Sequence, residues 1–260
     1  MRLKTVKLKY ITQGCGEAVI LLHGLFGSGS NLGLLSRTLS SSHMIISPDL
    51  RNHGKSPQCQ EMNYPCMADD IIELMDDLDI IKATLIGHSM GGKVAMQVAL
   101  NHVHRVSKVI IADISPIDYE SSAHSKTVEG LNALVKTNPL SRKKADESLS
   151  FYISDVATRG FLLKNLFQKK DRSYGLRLFM KSINSNYQDK LNLAPVGTPY
   201  MGPSLFIRGE KSPYVKNKHL CDILRLFPKA QYKTIKEAGH WLHTEKSKEF
   251  NQIIVEFLSD

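Results

Sequence analysis

Six short apolar runs, separated by segments of helical pattern, constrain this chain more than any other feature. They are Ala18–Leu22, His43–Ser47, Ala83–Gly87, Val106–Ala112, Ser204–Arg208 and Ala230–Lys236. Most are aliphatic and bounded by turn residues, which is how strands buried on both faces read. Helical patterns fall at about 30–40, 65–77, 90–101, 216–226 and 246–258. Strand and helix in alternation predict an α/β fold, a mostly parallel sheet flanked by helices. Residues 3–12 alternate apolar with cationic side chains and add a half-exposed strand. In such sheets ligands bind beyond the carboxyl ends of the strands.

The alternation stops between Pro116 and Thr198. That stretch reads as amphipathic helices at about 123–136, 141–152, 155–168 and 172–184. The expected organisation is therefore a core of residues 1–115 and 199–260, with a helical lid, 116–198, inserted between two late strands. One α/β domain with a lid suits 260 residues better than two full domains. The lid holds 13 Lys or Arg against 8 Asp or Glu, more than half of the chain's net charge of +9. A solvated outer face accounts for that surplus better than an anion site does.

Other classes are set aside on composition. A hydrophobic content of 42% and a charged content of 23% are ordinary for a globular protein, so disorder and repeat arrays are not indicated. No dense basic run is interleaved with aromatics, which argues against nucleic acid as a partner. The opening Met-Arg-Leu-Lys-Thr-Val-Lys-Leu-Lys lacks the continuous apolar stretch of a secretory leader, and no apolar run approaches bilayer length. A cytoplasmic protein without stable membrane insertion is expected, as monomer or homodimer. Cys15, Cys59, Cys66 and Cys221 lie far apart and form no Cys-x-x-Cys pair, so free thiols are expected and no metal site.

The chemistry concentrates at strand ends. Gly87-His88-Ser89-Met90-Gly91 joins the run 83–87 to the helical pattern 90–101. Strand, sharp turn and helix expose a serine side chain at the top of the sheet, which marks Ser89 as a nucleophile. Its place at a helix N-terminus favours developing negative charge, and puts the Met90 amide near an oxyanion. His23-Gly24-Leu25-Phe26-Gly27 closes the run 18–22. A His-Gly loop there supplies a second oxyanion donor, Leu25 by position with Phe26 as the alternative, while His23 braces the loop. Two preorganised donors are each worth roughly 3–4 kcal/mol to a transition state.

Ala238-Gly239-His240-Trp241 follows the last run, and the Ser-then-His order makes His240 the expected general base. The acid departs from pattern. In Gly209-Glu210-Lys211-Ser212-Pro213-Tyr214, a serine, Ser212, stands where the carboxylate usually does. Asp113 ends the run 106–112, one strand earlier, and is the preferred acid. Glu210 as acid, or a Ser–His dyad with Ser212 as hydrogen-bond partner, remain the alternatives. Phe26, Tyr119, Tyr214 and Trp241 are the expected aromatic lining of a substrate pocket.

With these segments in place, the chain resembles the α/β-hydrolase superfamily over nearly its whole length. Within it, the chain is similar to the bacterial YbfF-type esterases. The matching segments are HGLFGS at 23–28, DLRNHGKSP at 49–57, MNYPCMADD at 62–70, GHSMGGK at 87–93, ADISPIDY at 112–119, SPYV at 212–215 and AGHWLHTEK at 238–246. The resemblance implies an esterase or thioesterase acting on small acyl esters or acyl-CoA thioesters, without a cofactor. It also implies that the acid has moved to Asp113, because Ser-Pro-Tyr-Val belongs to the subfamily's pattern. The lid matches least, so substrate choice is the least legible property. Two rivals stay open: a carbon–carbon hydrolase or lyase on the same residues, and a signalling protein that binds a ligand in the retained fold.

Overall fold

Alternate residues of each central strand feed two separate hydrophobic cores, one on each face of a single sheet. In the first long strand, Ile20 and Leu22 join one core while Val19 and Leu21 join the other. In the strand leading to Asp113, Val109 and Ile111 divide from Ile110 and Ala112 in the same way. A strand buried on both faces must be apolar at every position, and that requirement produces the uninterrupted runs in the sequence.

The computed structural model describes residues 4–120 and 125–259. The strands are β1 (Tyr10–Gln13), β2 (Glu17–Leu22), β3 (His43–Pro48), β4 (Ala83–His88), β5 (Val106–Ala112), β6 (Leu166–Gln168), β7 (Tyr174–Leu176), β8 (Ser204–Gly209) and β9 (Ala230–Ile235). Among the described residues seven of them form one sheet in the order β1-β3-β2-β4-β5-β8-β9, with β4 at its centre. Only β1 runs antiparallel to its neighbour there. The helices are α1 (Gly33–Leu39), α2 (Tyr64–Asp77), α3 (Met90–Asn101), α4 (Ser125–Thr137), α5 (Arg142–Ser150), α6 (Val156–Leu162), α7 (Met180–Asn186), α8 (Leu220–Leu226), α9 (Leu242–Glu245) and α10 (Ser247–Ser259). Helices α1 and α10 cover one face through Leu35, Leu39, Phe250 and Ile254. Helices α2 and α3 cover the other through Ile71, Leu74, Val94 and Val98. This is the α/β-hydrolase arrangement, with the insertion between β5 and β8.

Two details differ from the sequence reading. The first strand covers only Tyr10–Gln13 of the expected 3–12. Two amides before it donate to side chains, Val6 to Asp70 and Lys9 to Ser56, and the Lys9 carbonyl accepts from the Asp49 amide just beyond β3. Leu3 lies outside the described residues, as do 123 and 124 of the first lid helix. Finally, the expected helices 155–168 and 172–184 are interrupted by the antiparallel pair β6–β7, so the insertion is not wholly helical. A tight local turn explains it. Asp171 accepts from both the amide and the hydroxyl of Ser173, and Arg172 adopts a left-handed φ of 66°. A self-capping aspartate of this kind competes well with helix.

A buried lysine ties both roots of the insertion to α3. Lys93 Nζ donates to the carbonyls of Ile117, Asn192 and Leu193 at 2.8, 2.9 and 2.6 Å. Burial lowers its pKa to about 7. Among the described residues no helix is long and apolar enough to cross a membrane.

Candidate active site

The turn at Ser89 is built by glycines. A Cβ on Gly87 would lie 2.2 Å from the Gly91 carbonyl oxygen, and one on Gly91 would lie 2.2 Å from that of Leu22. Only with hydrogen at both positions can β4, β2 and α3 close on one another. Ser89 then carries φ 53° and ψ −119°, a strained geometry for any L-residue, and its amide is held by the Ala112 carbonyl at 3.0 Å.

Asp113, His240 and Ser212 come from the ends of β5, β9 and β8, and β8 lies between the other two. Asp113 is fully buried, and its own φ is also 53°. Its Oδ1 accepts from the Gly209 amide at 3.0 Å. Its Oδ2 accepts from His240 Nδ1 at 2.7 Å and from the Ser212 hydroxyl. The contact makes Nδ1 the protonated nitrogen of His240 and leaves Nε2 as the basic one. Glu210 is engaged elsewhere, accepting from the Glu237 amide at 2.8 Å. Ser89 and His240 line one cavity. Among the hydrogen bonds of the described residues none joins the two, and such bonds often tighten only when substrate binds.

The His-Gly loop is braced by two buried histidines. His23 Nδ1 donates to the Gly24 carbonyl, and its Nε2 accepts from the Leu50 amide at 3.0 Å. His53 Nδ1 donates to the Arg51 carbonyl, which leaves Nε2 to accept from the Phe26 amide at 3.2 Å. From the insertion, Asn165 donates to the Phe26 carbonyl at 2.8 Å. Held at both its amide and its carbonyl, Phe26 adopts φ 62°.

Both rings must be neutral to accept these bonds. Burial lowers His23 to about 4 and His53 to about 3. An unfolded histidine titrates near 6.5, so below that pH the unfolded chain binds more protons than the folded one. Stability contributed by the neutral rings is therefore complete above about pH 6.5 and is lost as pH falls toward 4. Thermal melts are expected to give a Tm that declines steadily through that window. A Tm unchanged across it would show that the two rings are not buried as neutral bases.

A cavity of about 270 Å³ opens beside Ser89, walled by Phe26, Phe161, Tyr214 and Trp241. A second, of about 40 Å³, also reaches Ser89 and is bordered by Met90, Lys93, Ile114 and Tyr119. Leu25, Ser89 and Tyr214 border both. Of the four expected aromatics, three thus line the larger cavity and Tyr119 the smaller. Among the described residues no cluster of three or more His, Cys, Asp or Glu side chains is placed to hold a metal.

Several residues here escaped the sequence reading. His53 reaches the His-Gly loop from the segment after β3. Asn165, Thr127, Thr158 and Phe161 come from the insertion, where amphipathic spacing says which face is buried but not against what. For His53 the segment DLRNHGKSP carried a signal; for the insertion residues nothing in the pattern did.

A family model described as alpha/beta hydrolase fold matches residues 17–247. The chain is 36% identical to Esterase YbfF of Escherichia coli over 242 residues, 93% of each chain. It is also 36% identical to an sn-1-specific diacylglycerol lipase, ABHD11, of Danio rerio, covering 97% of this chain and 83% of that one. Among solved structures, a marine microorganism esterase superposes with a TM-score of 0.94 at 36% identity, covering 97% of this chain and all of the other. The chain belongs to the α/β-hydrolase family and stands among its carboxylic-ester hydrolases.

Proposed function

We propose that this enzyme cleaves small acyl esters or acyl-CoA thioesters by two-step acyl transfer through Ser89, His240 and Asp113. The observation that carries the reading is the 2.7 Å contact of His240 Nδ1 with buried Asp113, at a cavity that Ser89 shares. Ser89 attacks the carbonyl carbon as His240 Nε2 takes its proton. The oxyanion that forms is met by the amides of Met90, at the start of α3, and Leu25. The Phe26 amide already donates to His53, which favours Leu25 over its neighbour. Protonated His240 then returns the proton to the departing alcohol or thiol, and Asp113 steadies the imidazolium meanwhile. Water, activated by the same histidine, releases the acid from the acyl-enzyme. The sequence needs neither metal nor cofactor. Residues 116–198 serve as a lid on the core of 1–115 and 199–260, and Phe26, Tyr119, Tyr214 and Trp241 contact substrate.

A fluorophosphonate probe tests the nucleophile. Labelling of the wild-type protein and none in Ser89→Ala is the expected result. Labelling that persists in Ser89→Ala would place the reactive serine elsewhere.

A further inference from the structure

Ser89 lines both of the two unequal cavities, and their walls differ in a chemically decisive respect. His240 lines the larger and not the smaller, while Met90 borders the smaller and not the larger. In the tetrahedral intermediate the carbonyl carbon carries four groups: Ser89 Oγ, the oxyanion, the leaving atom and the acyl chain. The leaving atom must receive its proton from His240, so it lies on the side of the larger cavity. The oxyanion is turned to the Leu25 and Met90 amides. The acyl chain takes the direction that remains, away from His240 and into the smaller space.

We propose that the smaller cavity is the acyl subsite and the larger one the leaving-group subsite, so the preferred substrates join a short, uncharged acid to a bulky alcohol or thiol. The proposal rests on the Ser89–His240 reading above and adds substrate class to it. Size sets the chain length. A water-sized group needs roughly 10–15 Å³ of such space. A cavity of about 40 Å³ then holds about three carbons beyond the carbonyl, and one of about 270 Å³ a group several times larger.

Lys93, Tyr64 and Tyr119, polar side chains that line the smaller cavity, are already committed to backbone carbonyls, which is why the acid is expected to be uncharged. Lys93 lies beside it, but its Nζ makes three donations, to the carbonyls of Ile117, Asn192 and Leu193. An ammonium has three protons, so none is left for a substrate carboxylate. Lys93 also sits 5.5 Å from the centre of the Tyr64 ring and 4.8 Å from that of Tyr119. The Tyr64 hydroxyl donates to Leu191 and that of Tyr119 to Tyr214, both to backbone carbonyls.

The test is a matrix of substrates. p-Nitrophenyl acetate, propionate, butyrate, hexanoate and octanoate vary the acyl group, together with the succinate monoester as the anionic case. Methyl, naphthyl and coenzyme A acetates vary the leaving group. kcat/KM is expected to peak between acetyl and butyryl and to fall roughly tenfold or more at hexanoyl. The succinate monoester should fall below the butyrate, and bulky leaving groups should be favoured over methyl. Leu191→Ala, and the milder Ile114→Val should Leu191→Ala fail to fold, are expected to raise the hexanoyl-to-acetyl ratio. Phe161→Ala is expected to reorder the leaving groups. An octanoyl optimum, a preference for the succinate monoester, or a chain-length shift in Phe161→Ala in place of the Leu191 and Ile114 variants would overturn the assignment. Ser89→Ala in the same matrix separates the two failures. Activity lost there with a long-chain optimum in wild type sinks the subsite assignment alone, whereas activity kept there sinks the underlying mechanism.

Discussion

Asp113→Asn is expected to lower kcat by roughly four orders of magnitude while leaving the fold intact, the loss seen when a triad carboxylate becomes an amide. The geometry explains why the amide cannot substitute. Asp113 accepts three hydrogen bonds through two oxygens, from the Gly209 amide, the Ser212 hydroxyl and His240 Nδ1. Asparagine has one oxygen, and its amide nitrogen would meet donors. It would also favour the wrong tautomer of His240, with the proton on the nitrogen that must act as base. Ser212 makes the prediction sharper. Its hydroxyl and His240 Nδ1 both reach the same carboxylate oxygen, so the two side chains are separated by little more than that atom. A carboxylate at position 212 is one atom longer than serine and can span the gap. The double variant Asp113→Asn with Ser212→Asp is therefore expected to recover about tenfold or more over Asp113→Asn alone, about 1.4 kcal/mol of barrier. Steady-state kinetics on one p-nitrophenyl ester, with circular dichroism to check folding, decides it. Near-normal turnover in Asp113→Asn would remove Asp113 from the mechanism. A folded double variant no faster than the single one would show that the acid cannot be moved along the sheet.

Arg51→Met is expected to cost about 3–5 kcal/mol of stability, because it leaves a carboxylate buried without its cation. Arg51 Nε and Nη2 reach the two oxygens of Asp70 at 2.6 and 2.7 Å, and both side chains are almost wholly buried. The guanidinium also donates to the carbonyls of Glu61 and Cys66 at 2.9 and 3.1 Å. Removing both charges together, in Arg51→Met with Asp70→Leu, should cost less than Arg51→Met alone, since no uncompensated ion remains. Urea unfolding of the two variants and the wild type measures the difference. A loss below about 1 kcal/mol in Arg51→Met would put this pair with exposed surface bridges. The ion pair matters to the site because the same loop carries His53, which holds the Phe26 amide.

Much of the architecture was legible because burial on both faces leaves a plain mark. Strands such as Ala83–His88 must be apolar throughout, and the glycines at 87 and 91 follow from close approach of backbones. The hairpin at Leu166–Leu176 was not legible, since its cause is a side-chain turn at Asp171 that overrides a helical spacing of apolar residues.

Ser89, His240 and Asp113 stand out in the sequence as candidates because each follows a strand, and the carboxyl ends of parallel strands converge. What the sequence could not decide was how the carboxylates compete. Asp113 and Glu210 both follow strands, and only packing shows one buried against His240 and the other turned to the Glu237 amide. Nor could it show Ser212 donating to Asp113, or Lys93 closing the roots of the insertion. Ser212 with Asp113, and Lys93 with Leu193, join residues about a hundred positions apart, where periodicity carries no information and only the tertiary fold sets the distance.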